Sequence, residues 1–141
     1  MKKLPLFLAL TLAVSAFAAA PLHAAERTKP ATPERIAHGQ EVSLADYLVP
    51  GKTVIFDFTS EFCPPCRAIS PKLDRLHAKR ADIVVVKVDI NRANVQGIDW
   101  KSPVAQQYGM HSIPHFKVFG PDGKLVAEGK PARALVTGWF E

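Results

Sequence analysis

Thr53-Val54-Ile55-Phe56-Asp57-Phe58-Thr59-Ser60-Glu61-Phe62-Cys63-Pro64-Pro65-Cys66-Arg67 is the stretch on which the fold turns. Its first six residues are β-branched or aromatic apart from Asp57, with no polar alternation, the pattern of a central strand buried on both faces. Arg67–Arg80 then carries Ile69, Leu73 and Leu76 at helical spacing, with Pro71 inside, where a missing N–H predicts a kink. The two cysteines therefore fall where a buried strand hands over to a helix. Proline suits Pro64 and Pro65, because it opens helices and its missing N–H costs nothing in the first turn. A cysteine at that point lies near unpaired backbone N–H groups and the positive end of the helix dipole, which stabilise a thiolate. A thiolate attacks disulfides, and a second cysteine one turn along can resolve the mixed disulfide.

Two other readings of Cys63 and Cys66 stand beside that one. A structural disulfide closing so short a loop has little entropic leverage. Half of a metal site is the second: His111 and His115 have zinc-like mutual spacing, but 44 residues separate Cys66 from His111, outside finger spacing.

Outward from this stretch, Ile83–Ile90 repeats the doubly buried strand pattern. Ser102-Pro103 starts a helix that Gly109 ends, just after Tyr108. Phe116–Phe119, the turn Pro121-Asp122-Gly123 and Leu125–Glu128 read as a hairpin, and Ala132–Phe140 as a short closing helix weakened by Gly138. Upstream, Ser43-Leu44-Ala45-Asp46 resembles a capping box opening a short helical turn that ends near Pro50-Gly51. Glu26–Arg35 is polar, with Pro30 and Pro33, and reads as an extended leader that need not pack. The order β, α, β, α, β, β, α predicts an α/β domain with a mixed central sheet flanked by helices.

The 141 residues make about one domain, with 48% hydrophobic and 22% charged residues, which argues against disorder. Two cysteines are too few for a disulfide-stapled mini-protein or a four-cysteine zinc ribbon. Lys2 and Lys3 precede the apolar run Leu4–Ala20, and small residues follow, the pattern of a secretory signal cut after Ala24 or Ala25. The expected organisation is a signal peptide at 1–24, a leader at 25–41 and one domain at 42–141. Removing 1–24 takes two lysines and lowers the formal charge from +5 to +3, with no basic stripe interleaved with aromatics, so nucleic acid is not an expected partner.

The run Asp57–Cys66 resembles the thioredoxin active-site segment. Pro71 falls where that family has a helix-kinking proline, and Gly109-Met110-His111-Ser112-Ile113-Pro114 resembles its segment ending in a cis-proline beside the dithiol. The resemblance spans roughly Val42–Glu128 and implies the thioredoxin fold. It implies Cys63 as nucleophile, Cys66 as resolving thiol and Asp57 as the buried carboxylate that takes and returns the resolving proton. Desolvation inside an apolar strand agrees, since it raises a carboxyl pKa toward neutrality. The competing reading of Asp57 is an ion pair with Lys87, the one charge in Ile83–Val88. Pro114 is implied as the cis-proline, with Ile113 lining a substrate groove and Pro64 and Pro65 on its opposite rim.

The departures are specific. Phe62 and Thr59 stand where the family has tryptophans, and Pro64 replaces a common glycine. His115 follows Pro114 where a small polar residue is usual; if protonated beside the dithiol it would favour the thiolate. Asn91–Lys101 looks like a modest insertion, and Gly129 is the candidate for the family's late groove glycine. His38, His77, Trp100 and Trp139 read as surface or packing residues.

These features give the expectation of an exported, monomeric thiol–disulfide oxidoreductase of a Gram-negative periplasm, acting on protein thiols and disulfides. Its redox group is the Cys63–Cys66 disulfide, with no metal or other cofactor. Only 24 residues lie between Asp89 and Pro114, too few for the large helical insert of dedicated periplasmic oxidases. That, with Asp rather than Glu at position 57, favours a reductase reset by a membrane-bound electron donor, because soluble reductants are scarce in an oxidising compartment. The alternatives are an oxidase or isomerase of the same fold, a non-catalytic binding module, and a metal-binding module.

Overall fold

The computed structural model describes residues 26–140, so the expected export signal at 1–24 lies outside the described residues. The strands are β1 (Glu34–Ile36), β2 (Thr53–Thr59), β3 (Ile83–Asp89), β4 (His115–Phe119) and β5 (Leu125–Glu128). The α-helices are α1 (Pro64–Lys79), α2 (Pro103–Gln107) and α3 (Lys130–Thr137). One sheet runs β1-β3-β2-β4-β5. Strand β3 is parallel to both β1 and β2, whereas β4 is antiparallel to β2 and β5 to β4. The expected mixed sheet with flanking helices is the observed one.

Six of the seven residues of β2 are buried, and its alternating side chains serve two different cores. Val54, Phe56 and Phe58 join Val84, Val86, Val88, Val104 and Met110 on the α2 side. Ile55 joins Leu73, Leu76, Val85, Phe116 and Val136 on the side covered by α1 and α3. Burial of each large side chain is worth about 1.5–3 kcal/mol, so β2 is the element on which both layers dock. Period-2 alternation places Asp57 on the α1/α3 face with Ile55.

The N-terminal segment departs from the leader reading. Glu34–Ile36 pairs with Val86–Val88 as an edge strand, and Ile36 is buried. The Lys29 ammonium donates to the carbonyls of His77 and Arg80 at 2.6 and 2.7 Å. Those carbonyls end α1 and lack helical partners, so a cation there is favoured by both hydrogen bonding and the dipole. His77, fully buried, accepts the Val85 N–H at Nδ1 (3.0 Å), leaving Nε2 to donate to the Pro30 carbonyl at 2.9 Å.

Ser43 caps nothing with its side chain, and only one 3₁₀ turn, Leu44–Tyr47, follows it. That segment is held from outside: Gln107 exchanges two hydrogen bonds with the Val42 backbone, and Tyr108 donates its hydroxyl to the Val42 carbonyl at 2.7 Å. Helix α1 passes through Pro71 without interruption. Helix α3 stops before Gly138, leaving Trp139 and Phe140 packed as non-helical residues against the second core.

Candidate active site

Cys63 caps α1 from an extended backbone, and Pro64 and Pro65 occupy the first helical positions. The Cys66 N–H, one of the donors without a helical partner, donates to Cys63 Sγ at 3.2 Å. Cys63 and Cys66 form a disulfide with Cα atoms 5.2 Å apart. Both are nearly buried, at 2% and 1% exposure, while Pro64 and Pro65 are exposed on one side of them. On the other side the Ile113 carbonyl oxygen lies 3.8 Å from Cys63 Sγ, and the Ile113–Pro114 peptide is cis. Ile113 is half-buried and Pro114 buried, so a backbone edge and two exposed prolines flank the sulfur.

Asp57 has no exposure, and neither carboxylate oxygen has a hydrogen-bond partner. Burial pushes its pKa from 3.8 up to about 7, with Lys87 and Arg35 pulling it down and Asp74 pushing it further up. The contact ion pair weighed for Asp57 and Lys87 does not form. The two residues are register partners, but the Lys87 ammonium donates instead to Ser70 Oγ at 2.7 Å and Asp74 Oδ1 at 2.5 Å. Asp57 is thus a buried carboxyl near neutrality that can hold or release one proton.

His115 pairs through Nε2 with Glu128 Oε1 at 3.2 Å and lies edge-on to Phe58, ring centroids 6.0 Å apart. Lys117 reaches the same Glu128 oxygen at 2.6 Å. The hydrogen bond from Lys117 is the main reason the Glu128 carboxyl is held below its usual range. Gly129 sits beside this group with φ +65°, and a Cβ there would stand 3.6 Å from His115 Cε1. Among the described residues, no group of three or more His, Cys, Asp or Glu is placed to hold a metal ion, and His111 is exposed.

The residues that brace the dithiol loop from behind escaped the sequence reading. Cys63 N–H donates to the Ser60 carbonyl at 3.2 Å and Phe62 N–H to Ser60 Oγ at 3.2 Å. Ser60 Oγ in turn donates to Asn91 Oδ1 at 2.6 Å, and Asn91 Nδ2 donates to the Gly97 carbonyl at 2.7 Å. Asp99, bidentate with Arg92, gives its N–H to the same Asn91 oxygen. The Asn91–Lys101 insertion is therefore the back wall of the active-site loop. No periodicity marks a buried Asn in a polar loop, so no local signal pointed to it.

A mixed sheet whose central strand delivers a helix-capping Cys-X-X-Cys beside a cis-proline defines a dithiol protein of the α/β class. The thioredoxin family profile matches residues 38–137. Thioredoxin of Streptomyces clavuligerus is 35% identical over 94 residues, covering 65% of this chain and 80% of that protein. Chloroplastic thioredoxin F2 of Arabidopsis thaliana is 35% identical over 77 residues, which cover 55% of this chain but only 37% of that longer relative. A mutant thioredoxin from Halobacterium salinarum superposes with a TM-score of 0.56 at 22% identity, covering 82% of this chain and 96% of its own, a likeness of fold. The chain belongs to the thioredoxin family.

Proposed function

We propose that this chain is a thiol–disulfide oxidoreductase that reduces protein disulfides in an oxidising compartment outside the cytoplasm, the periplasm. The observation that carries the activity is Cys63 Sγ at the N-terminus of α1, taking the Cys66 N–H and lying 3.8 Å from the Ile113 carbonyl. In the reduced enzyme that N–H and the helix dipole favour the Cys63 thiolate over the thiol. The thiolate attacks one sulfur of a substrate disulfide; that S–S bond breaks, a mixed disulfide on Cys63 forms, and one substrate thiolate leaves and takes a proton. Asp57 then accepts the Cys66 proton, the Cys66 thiolate attacks Cys63 Sγ, and the second substrate sulfur departs as a thiolate that takes up a proton, returned by Asp57. The substrate gains two electrons and Cys63–Cys66 becomes the disulfide. Pro64, Pro65, Ile113 and Pro114 form the rim along which an extended substrate segment lies, with the Ile113 backbone as its hydrogen-bond edge.

The signal-like residues 1–24 support export. An exported reductase needs its electrons returned, and a membrane-bound donor supplies them where soluble thiols are scarce. The short Asp89–Pro114 connection supports reduction over a dedicated oxidase role. Cys63→Ser should abolish insulin reduction, and Cys66→Ser, expressed in the native compartment, should accumulate mixed disulfides on Cys63. Persistent insulin reduction by Cys63→Ser refutes the activity. A measured potential near the strongly oxidising limit of the fold, about −120 mV rather than about −270 mV, refutes the direction.

A further inference from the structure

We propose that Asp74 and Ser70 are positioning residues that hold the Lys87 ammonium away from Asp57 and thereby leave both oxygens of the buried carboxyl free to exchange a proton with the dithiol. This rests on the proton-transfer role given to Asp57 above. Lys87 and Asp57 are register partners on neighbouring parallel strands, on the face covered by α1. Strands so paired are about 4.8 Å apart, and a lysine side chain is long enough to reach a carboxylate at that separation. The side chain nevertheless turns to α1, where Ser70 and Asp74, one turn apart, receive it at 2.7 and 2.5 Å. Both oxygens of Asp57 are left buried and without partners. The ammonium takes these two hydrogen bonds to α1 in place of a contact with Asp57.

The groups acting on Asp57 come from every side. Lys87 on β3 and Arg35 on β1 favour its ionised form, and Asp74 on α1 opposes it. On the remaining side β4 presents Phe116, apolar and fully buried. Arg35 is itself committed to Asp89, at 3.1 Å. Arg35 and Lys87 share the face of Asp57 through the strand register, and the anchor of Lys87 is accessible: Asp74 is about half exposed, in a cleft walled by Ala31, Pro33 and His77.

The test is the titration of the Asp57 carboxyl carbon by NMR in the oxidised full chain, compared among wild type, Asp74→Asn, Asp74→Glu, Ser70→Ala and Lys87→Met. Asp74→Asn frees Lys87 and should lower the Asp57 midpoint by about one unit or more, the usual effect of an opposite charge at contact. Ser70→Ala should lower it less, and Asp74→Glu, which keeps the anchor, should restore it. In the Lys87→Met background Asp74→Asn should lose most of its effect. An Asp57 midpoint unmoved by Asp74→Asn, or a shift equally large without Lys87, overturns the proposal. The titration reads Asp57 whether or not the chain reduces disulfides, so failure of the activity reading appears separately, as insulin reduction surviving Cys63→Ser.

Discussion

Replacing Asp57 by Asn should improve stability relative to the wild type progressively as the pH rises. The folded-state pKa of about 7 lies above the ordinary 3.8, so between those values the folded chain holds a proton that the unfolded chain has lost. Stability therefore falls as pH rises through that interval, and the penalty is complete above about pH 7. A difference of about 3 units at 1.36 kcal/mol each gives a penalty of about 4 kcal/mol at pH 8 and less than about 1 kcal/mol at pH 4. Asn cannot ionise, so it removes the pH-dependent part, although its buried amide keeps a constant cost of about 1–3 kcal/mol if unpartnered. The constant term cancels when two pH values are compared. Urea denaturation of wild type and Asp57→Asn at pH 4 and pH 8 should show the stability gap widening by up to about 4 kcal/mol. A gap that widens by less than about 1 kcal/mol would falsify the assignment of Asp57 as an unpaired, desolvated acid. The same substitution should slow insulin reduction, because the Cys66 proton then has no buried acceptor.

Other consequences follow from particular contacts. Asn91→Ala strips the Ser60 hydroxyl and the Gly97 carbonyl of partners and should cost about 1–3 kcal/mol, with slower insulin reduction through a loosened Cys63 loop. His77, held neutral by burial and by its Val85 contact, has a pKa below 6.5. Its contribution is therefore complete above pH 6.5 and lost as the pH falls through its folded-state pKa, and its ring NMR signals should show Nε2–H with no titration near 6.5. Gly39 takes φ +81°, and a Cβ there would stand 2.5 Å from the Arg92 backbone nitrogen, so Gly39→Ala should destabilise by more than about 1 kcal/mol in thermal unfolding. Lys29→Ala removes two bonds to the end of α1 and should increase amide exchange in its last turn without altering insulin reduction.

The dithiol and its setting were legible from local order alone. A doubly buried strand, two cysteines with prolines between them, and a helical repeat follow one another along the chain, so the strand expected at Thr53–Phe58 and the helix expected at Arg67–Arg80 are found as Thr53–Thr59 and Pro64–Lys79. The hairpin of β4 and β5 was legible for the same reason, its turn residues being local signals. Contacts between residues far apart in sequence were not. Glu26–Arg35 looked like unpacked leader because nothing in its composition shows that the end of α1 and the edge of β3 lack partners. The Ser43 capping box failed because Gln107 and Tyr108 hold that segment instead.

Asp57 shows the same division. Its identity within an apolar strand was enough to predict a buried acid with a raised pKa, since desolvation depends on what surrounds it in the strand and sheet. Whether Lys87 would neutralise it was open, because a lysine side chain reaches several acceptors from one backbone position. The strand pairing that makes Lys87 and Asp57 neighbours, and the turn of α1 that brings Ser70 and Asp74 over them, exist only in the folded chain. Sequence order determined which residues carry the sulfur chemistry. Tertiary packing decided which charges reach the buried carboxyl of Asp57, because hydrogen bonds and ion pairs between α1 and β3 depend on how the layers dock and not on spacing along the chain.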